Sequence, residues 1–200
     1  MIHLTIKIPE KVYIGVSGGS DSMAALDFCF HKGRRKVVVL NFNHGTEFGK
    51  ISQKFVKEYC ESHNIEFHSG IIQRDKVKGE SPESYWRNER YRFFSYFNNA
   101  PIVLAHTLDD CVETYIFTTI NGESKLIPIK RGNIIRPFLL ATKKELIKWD
   151  VNHDVPFLND PANDDLKYPR VRIRHMIIPQ VKQINPGIDK VIRKKYLEMK

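Results

Sequence analysis

The 200-residue sequence has few cysteines and no long apolar run. Cys29, Cys60 and Cys111 are far apart and odd in number, so neither a disulfide framework nor a CxxC metal pair is expected. No stretch is long and apolar enough to span a bilayer. Residues 1–15 also lack the charged start and cleavage site of a signal peptide. These absences predict a soluble cytoplasmic protein without a membrane partner.

Acidic residues are outnumbered as well, by 32 Lys and Arg to 23 Asp and Glu, which gives a formal net charge of +9. Between residues 167 and 200, basic residues outnumber acidic ones by about eight. Because the excess is concentrated in one segment, it indicates an RNA- or DNA-binding surface. The alternative is a solvated basic helix without a nucleic-acid partner.

Apolar runs alternate with helical patterns through the first 120 residues. Strands are predicted within residues 12–17, 36–42, 65–71 and 101–106, and helices within 22–32, 49–63, 81–97 and 108–120. This alternation predicts an α/β fold, with a parallel sheet covered by helices on both faces. Ligands bind beyond the carboxyl ends of such strands. Ser17, Asn43 and His106 fall at those ends.

The pattern changes after residue 122. Residues 125–138 predict a hairpin that turns at 131–133, and residues 141–151 predict a helix capped by Thr142. A loop at 156–170 then leads to two helices, at 171–181 and 187–199. We therefore divide the chain into a core, residues 1–122, and a basic, mainly helical extension, residues 123–200.

The motif SGGSDS joins the first strand to the first helix. Adjacent glycines let the backbone approach a phosphate, serine hydroxyls add donors, and Asp21 can bind Mg²⁺. The motif matches neither a Walker A loop nor GxGxxG. A Gly-Ser turn capped by aspartate is the structural alternative. The candidate phosphate-binding residues are Ser17, Gly18, Gly19, Ser20, Asp21 and Ser22.

A second motif, AHTLDDCVET, places His106 at a strand end and three acidic residues in the helix that follows. Helical spacing puts Glu113 on the same face as Asp109 and Asp110. Three crowded carboxylates repel one another unless a cation such as Mg²⁺ or a substrate ammonium joins them. Favourable interaction with the helix dipole is the alternative for one or two of them.

Together these motifs resemble one enzyme family. SGGSDS is similar to the PP-loop of the N-type ATP pyrophosphatases, which cleave ATP to AMP and pyrophosphate. HTLDDCVET resembles the HxxDDxxET signature of the tRNA(Ile)-lysidine synthetases, and residues 83–91 resemble their ExxxRxxRY helix, although alone this stripe would be surface decoration. FNHG at 42–45, RPFLL at 136–140 and the segment 160–179 resemble further family motifs. The last matches at Asp160, Asn163, Tyr168, Arg170, Arg174 and Pro179.

The resemblance implies an ATP-dependent ligase that forms a carbon–nitrogen bond. ATP would adenylate the C2 oxygen of the wobble cytidine in the CAU anticodon of tRNA(Ile), and L-lysine would then displace AMP. Its adenine would lie near Phe42, Asn43, His44 and Gly45. Mg²⁺ would be held by Asp21, Asp109 and Asp110.

The resemblance also assigns roles to the remaining candidates. Glu113 with an aspartate would hold the lysine, and His106 would assist proton transfer or hold phosphate. Arg170 and Arg174 would stabilise the phosphates or the tRNA. The residues expected to contact tRNA are Arg87, Arg90, Tyr91, Arg172, Arg193, Lys194 and Lys195.

The sequence departs from the family pattern at Glu47, Ala162 and Val171, and it lacks the C-terminal domains that usually help to hold the tRNA. A homodimer would supply the missing contacts with the tRNA. Two alternatives stay open. One is another PP-loop ATP pyrophosphatase acting on RNA or a small metabolite, with a tRNA thiolase disfavoured because paired cysteines are absent. The other is a non-catalytic tRNA-binding relic.

Overall fold

The computed structural model describes residues 2–199 and is centred on a six-stranded sheet. Its strands are β1 (Lys11–Gly15), β2 (Lys36–Asn43), β3 (Glu66–Ile71), β4 (Ile102–Val103), β5 (Lys130–Arg131) and β6 (Ile134–Ile135). Their order is β3-β2-β1-β4-β6-β5. All neighbours pair in parallel except β5 and β6.

Helices connect the strands and form the carboxyl-terminal part of the described chain. They are α1 (Ser20–Asp27), α2 (Glu47–Ser62), α3 (Pro82–Phe94), α4 (Leu108–Ile120), α5 (Lys143–Asn152), α6 (Pro169–Arg172), α7 (Ile178–Ile184) and α8 (Ile188–Glu198). Helix α1 continues as a π-helical turn, Phe28–Lys32, and a short 3₁₀ helix spans Pro161–Asp164.

The central strand β1 is buried on both faces, as its apolar run predicts. Val12 and Ile14 pack on one side with residues of α1, α2 and α5, and Tyr13 packs on the other side with Phe94 of α3. Each such side chain contributes about 1.5–3 kcal/mol through burial. The prediction of a parallel sheet with helices on both faces is confirmed.

The hairpin after residue 122 extends this sheet. Gly132 has a φ of +60° and allows the turn between β5 and β6, as predicted. Strand β6 pairs in parallel with β4, so the segment 130–135 shares the sheet of residues 1–122. Helix α5 packs against α1, with Leu146 in the same apolar cluster as Met23. The division at residue 122 stays a prediction.

The basic carboxyl-terminal helices are anchored by one apolar side. Ile192 and Tyr196 of α8 are fully buried and pack against Leu108 and Val112 of α4. The Tyr196 hydroxyl also donates to the Ile127 carbonyl at 2.7 Å. No helix within residues 2–199 is long and apolar enough to cross a membrane.

The helix predicted at 171–181 begins earlier and contains a π turn. It runs from Pro169 through α6, a π-helical turn at Ile173–Ile177, and α7 to Ile184. A proline inside a helix clashes with the carbonyl four residues before it. For Pro179 that carbonyl belongs to His175, inside the π turn, so the irregular turn accommodates the proline.

Candidate active site

A cleft of about 670 Å³ opens at the carboxyl ends of β1, β2 and β4, where the fold class places ligands. We call it the main cleft. It is lined by predicted residues from five regions of the sequence, namely Ser17, Gly19, Ser20, Asp21, Ser22, Phe42, His44, Arg90, His106, Asp109, Asp110 and Arg174. The side chains most distant in sequence therefore converge as the motifs predicted.

The loop at residues 17–22 is built for close backbone approach. Gly18 has a φ of +80°, a conformation that favours glycine. The Ser22 hydroxyl accepts from the Ser17 backbone N–H at 3.1 Å and donates to the Gly19 carbonyl at 2.9 Å, so Ser22 shapes the loop. The Ser22 N–H donates to the Gly19 carbonyl at 3.1 Å, whereas the Ser20 and Asp21 amides at the start of α1 have no intrahelical acceptor, which makes this end an anion site.

A later segment is fastened to this loop. The Leu158 backbone N–H donates to the Gly18 carbonyl at 2.8 Å, and Leu158 forms an isolated parallel β-bridge with Gly19. Leu158, Asn159 and Asp160 consequently line the main cleft. The sequence predicted a loop here without its contact to residues 17–22.

Asp21 occupies the base of the cleft beside the loop. Burial raises the pKa of its carboxyl to about 6, Lys143 acts to lower it, and Asp110 and Asp109 raise it further. The Lys143 ammonium lies 3.7 Å from Oδ2, whereas Oδ1 is buried and has no hydrogen-bond partner among residues 2–199. This carboxylate is therefore close to the other two aspartates and lacks a full set of partners.

Asp109 and Asp110 each use one oxygen to hold a helix end. Asp110 Oδ2 accepts from the Thr107 N–H at 2.8 Å in a capping box, and Asp109 Oδ2 accepts from the Lys143 N–H at 2.7 Å. Residues 2–199 hold no preformed group of three His, Cys, Asp or Glu side chains able to bind a metal. The predicted magnesium ligands thus line one cleft without forming a ready-made site, because capping holds two of them.

His106 also faces the main cleft. Burial lowers the pKa of His106 to about 4, and the positive charges of Arg136 and Arg90 prevail over the opposing effect of Asp110. Its Nδ1 is buried and makes no hydrogen bond within the described chain. A neutral imidazole can accept a proton or a hydrogen bond, but it does not hold a phosphate by charge.

The adenine end was predicted at Phe42–Gly45, and only alternate residues reach the cleft. Phe42 and His44 line it, because neighbouring side chains leave a strand on opposite sides. Asn43 instead turns inward, where its Oδ1 accepts from the Gly45 N–H at 2.8 Å and its Nδ2 donates to Gln53. Asn43 and Gly45 therefore shape the turn.

Glu113 lies outside the lining of the main cleft and is already paired. Its Oε1 accepts from Arg170 at 3.0 Å, and its Oε2 accepts from Arg174 at 3.0 Å. Arg170 also contacts Glu83 at 3.0 Å. Glu113 is thus paired with both arginines, and the predicted contacts of Glu113 with lysine and of Arg170 with phosphate or tRNA stay predictions.

Arg87, Arg90 and Tyr91 of α3 were predicted to share one polar surface, but their side chains point in different directions. Arg90 lines the main cleft, and its Nε is buried without a partner in the described residues. Arg87 is exposed and lies over the Tyr91 ring, 4.6 Å from its centroid. The Tyr91 hydroxyl accepts from Arg136 at 2.8 Å. Only Arg87 of these three stays on the open surface as predicted.

The basic carboxyl-terminal candidates lie on the surface. Arg172 and Lys194 are exposed, and Arg193 and Lys195 are half-buried. The Lys195 ammonium lies 5.5 Å from the centroid of the Tyr115 ring. These residues are positioned to contact a large anionic partner at the surface.

Two charged residues at or near the site were not predicted as site residues, although Arg136 belongs to the RPFLL motif. Lys143 lines the cleft at the start of α5, and Arg136 is fully buried beside Tyr91, where it also donates to the Pro128 carbonyl at 2.8 Å. The motif assigned no role to either side chain. Of the departures, Val171 is buried, whereas Ala162 and Glu47 are exposed.

Comparisons with known proteins identify the family to which the chain belongs. A family described as a PP-loop domain matches residues 3–181. The chain is 31% identical to the tRNA(Ile)-lysidine synthase of Staphylococcus aureus (strain COL), over 89% of this chain and 46% of that protein. It is also 31% identical to the bifunctional protein TilS/HprT of Listeria monocytogenes (strain EGD-e), over 93% of this chain and 32% of that protein. The chain therefore spans about a third to a half of these relatives.

Solved structures share the fold at lower identity. The U34-tRNA thiolase NcsA from Methanococcus maripaludis, solved with its 4Fe-4S cluster, has a TM-score of 0.76 at 18% identity, covering 98% of this chain and 73% of that one. The NH3-dependent NAD synthetase from Campylobacter jejuni has a TM-score of 0.51 at 13% identity, covering 94% and 85%. At these identities the likeness concerns the fold alone.

Proposed function

Because the chain belongs to the PP-loop domain family, we propose that it cleaves ATP to AMP and pyrophosphate to activate a base of tRNA. The finer proposal is tRNA(Ile)-lysidine synthetase activity on a CAU anticodon, which the 31% identity to such enzymes supports. One structural observation carries it. The incompletely partnered Asp21 carboxylate lies beside the 17–22 loop in the cleft that Asp109 and Asp110 also line.

ATP would bind with its phosphates on the loop at 17–22. The Ser20 and Asp21 amides of α1 and the hydroxyls of Ser17 and Ser20 are the donors available to it. Its adenine would enter the apolar end of the main cleft, between Phe42 and Leu104. This orientation places the α-phosphate near Asp21 and the acidic end of α4.

The residues present fit Mg²⁺, which binds proteins through one or two carboxylates together with substrate phosphates. Asp21 Oδ1 has no partner among residues 2–199, and the contacts of Asp109 and Asp110 involve Oδ2 alone. These three residues would hold the ion. When bound, Mg²⁺ would supply positive charge to the departing pyrophosphate.

Two cations of the protein face the same region. Lys143 and Arg174 line the main cleft, and Glu113 fixes the Arg174 guanidinium at 2.7 Å. A positively charged group held in place before the reaction stabilises charge that develops on the leaving group. We assign this role to Lys143 and Arg174 as pyrophosphate leaves.

In the second step the lysine amine attacks C2 of the adenylated cytidine. The new C2–N bond replaces the C2–O bond, AMP departs with that oxygen, and the amine loses a proton. His106 is neutral at pH 7, since burial lowers its pKa to about 4, and its unpartnered Nδ1 would accept a hydrogen bond from the attacking amine and orient it. Asp109 and Asp110 provide negative charge for the incoming ammonium.

The tRNA would be held outside the cleft by the basic surface. Arg87, Arg172 and Lys194 are exposed there, and Arg193 and Lys195 are half-buried. Because phosphate contacts release counterions, tRNA affinity should fall steeply as salt concentration rises. A homodimer remains part of the proposal, as a source of additional contacts.

The alternative activities differ in specific residues. Cys29, Cys60 and Cys111 are buried, and burial raises the pKa of each thiol to about 12, so none is suited to sulfur transfer. A small-metabolite ligase gives the basic surface no ligand. In a non-catalytic relic, the convergence of Asp21, Asp109 and Asp110 on one cleft would serve no purpose.

ATP–pyrophosphate exchange with and without CAU-anticodon tRNA tests the proposal. We expect exchange that depends on tRNA, and lysidine in the tRNA by mass analysis of nucleosides once lysine is added. Exchange without tRNA would favour the metabolite enzyme. No exchange under either condition would favour the relic, and unmodified cytidine after tRNA-dependent exchange would overturn the lysidine assignment.

A further inference from the structure

Four aromatic side chains form a continuous row along one edge of the main cleft. Successive ring centroids are 5.2 Å apart from Phe42 to His44, 5.8 Å from His44 to Trp86, and 6.2 Å from Trp86 to Tyr168. We call these residues the aromatic row. Phe42 and His44 line the cleft, and Tyr168 immediately precedes α6, so the row leads from the cleft to the basic helices.

The rings of the row do not cover one another. The planes of His44 and Trp86 are inclined by 48°, and those of Trp86 and Tyr168 by 52°. Trp86 and Tyr168 both remain half-buried, so each keeps part of its surface accessible to solvent. The Trp86 indole N–H donates to no acceptor among residues 2–199, whereas Trp149 donates to Asp27 at 2.8 Å.

Positive charges accompany the exposed end of the row. The Lys167 ammonium lies 4.9 Å from the centroid of the Tyr168 ring, and Arg87 is exposed one residue after Trp86. Arg174 and Lys182 line the adjoining cleft. Aromatic faces interleaved with cations are the features by which proteins bind single-stranded nucleic acid, since bases stack on the rings and phosphates meet the cations.

We infer that the aromatic row is a stacking platform for an unpaired nucleobase of the RNA substrate, with Trp86 and Tyr168 as its contact surface. The inference rests on the proposed function and adds to it the residues that receive the single-stranded loop. Stacking is tolerant of base identity, because every base has a π face. The row would therefore favour an unpaired loop over a duplex without selecting its sequence.

Tryptophan fluorescence tests this placement, because the chain has two tryptophans. Trp149→Phe leaves Trp86 as the only tryptophan. Trp86→Phe leaves only Trp149, which packs against the apolar cluster of Val12, Met23 and Leu146. A CAU anticodon stem-loop RNA is titrated into each variant. Quenching of Trp86 but not of Trp149 is expected, and a fully paired RNA of equal length should quench neither. Saturable loop binding that leaves the Trp86 emission unchanged would overturn the inference.

Affinity provides the second measurement. Trp86→Ala should weaken stem-loop binding about tenfold, because one base–aromatic stack is lost, while Trp86→Phe should retain most of the affinity. Tyr96→Ala, which removes an exposed ring beyond the end of α3, is the matched control and should bind normally. Equal affinity of Trp86→Ala and wild type would contradict the inference. That result would not bear on the proposed function, which tRNA-dependent ATP–pyrophosphate exchange tests separately.

Discussion

Two clefts of similar size within residues 2–199 differ in whether their buried polar groups have hydrogen-bond partners. The main cleft measures about 670 Å³, and the second, which we call the histidine cleft, about 570 Å³. The histidine cleft lies near the other end of α1 and includes Asp27, His31, Tyr59, His63 and His153. Volume alone does not distinguish them.

The two clefts differ in their hydrogen bonds. In the histidine cleft, Asp27 contacts His31 at 2.6 Å and accepts from Trp149 at 2.8 Å, and His153 Nδ1 lies 2.9 Å from the Trp149 carbonyl. Among its lining residues within 2–199, no buried side-chain polar atom lacks a partner. In the main cleft, Asp21, His44, Arg90 and His106 each have one that does. An unpartnered buried polar group costs about 1–3 kcal/mol, so four in one cleft are typical of a ligand-binding site.

The largest difference between the clefts is expected for Asp21→Asn. The amide cannot bind Mg²⁺ as a carboxylate does, so ATP–pyrophosphate exchange should fall about 10²–10³-fold. Asp27→Asn is the matched control in the histidine cleft. It should keep exchange within a few-fold of wild type and lower the free energy of unfolding by about 1–2 kcal/mol. Equal loss of exchange in both variants would remove the distinction.

The elements around the main cleft that were predicted from the sequence follow from local patterns. The strands, the 17–22 loop and α4 follow from apolar periodicity, glycines and capping residues that act within a few positions. Their convergence at one cleft follows from the parallel sheet, because all parallel strands end at the same edge. Asp21, His106 and Asp109 were therefore predictable as neighbours.

Properties that depend on the approach of distant side chains were not predictable. Helical spacing put Glu113 beside Asp110, but its pairing depends on Arg170 and Arg174, 57 and 61 residues away. In the same way, the direction of Arg90 depends on how α3 packs against the sheet. A single sequence contains no signal for either contact.

The next effect concerns a fully paired carboxylate beside the main cleft. Glu113→Gln should lower the free energy of unfolding by about 2 kcal/mol, because Arg174 loses its counter-charge and Arg170 keeps only Glu83. We place this below the range for fully buried pairs, since Arg170 and Arg174 are themselves about a third exposed. Urea denaturation measures the change.

Glu123→Gln is the control for this substitution. Glu123 pairs with Lys125 at 2.6 Å, but both side chains are more than half exposed, so the stability should hardly change. Similar losses of stability in the two variants would show that burial does not decide the strength of the Glu113 pairing.

Asp150 lies between the two clefts and should make stability depend on pH. It is 1% exposed, both oxygens lack partners among residues 2–199, and burial raises its pKa to about 7, with Asp21 and Asp27 adding to the shift. Between the unfolded pKa, about 4, and this value, the native state binds more protons than the unfolded state. The contribution of protonated Asp150 to the free energy of unfolding is therefore present at low pH and is lost as the pH rises towards 7.

Asp150→Asn should remove this loss. We expect the melting temperature at pH 8 to rise by about 2–4 °C, which corresponds to about 1 kcal/mol, with little change at pH 4. Asp164→Asn, at an exposed carboxyl, should leave the difference between the two pH values as in wild type. A uniform shift at both pH values would show that Asp150 does not titrate as described.

The smallest effect is expected for His153→Gln in the histidine cleft. The ring stacks on Trp149 at 3.8 Å and contacts its carbonyl, yet it is largely exposed, so unfolding should change by less than about 1 kcal/mol. ATP–pyrophosphate exchange should stay at the wild-type rate. Exchange reduced as far as in Asp21→Asn would give the histidine cleft a part in the reaction.

The bridge between Gly19 and Leu158 has a consequence for the order of events on the protein. It connects the 17–22 loop, where the triphosphate would bind, to the segment that leads into Arg170 and Arg174. On the proposed function, ATP bound to the 17–22 loop would also hold Leu158 and the segment that follows it in place. ATP binding would thereby help to position Arg170 and Arg174 before tRNA is modified.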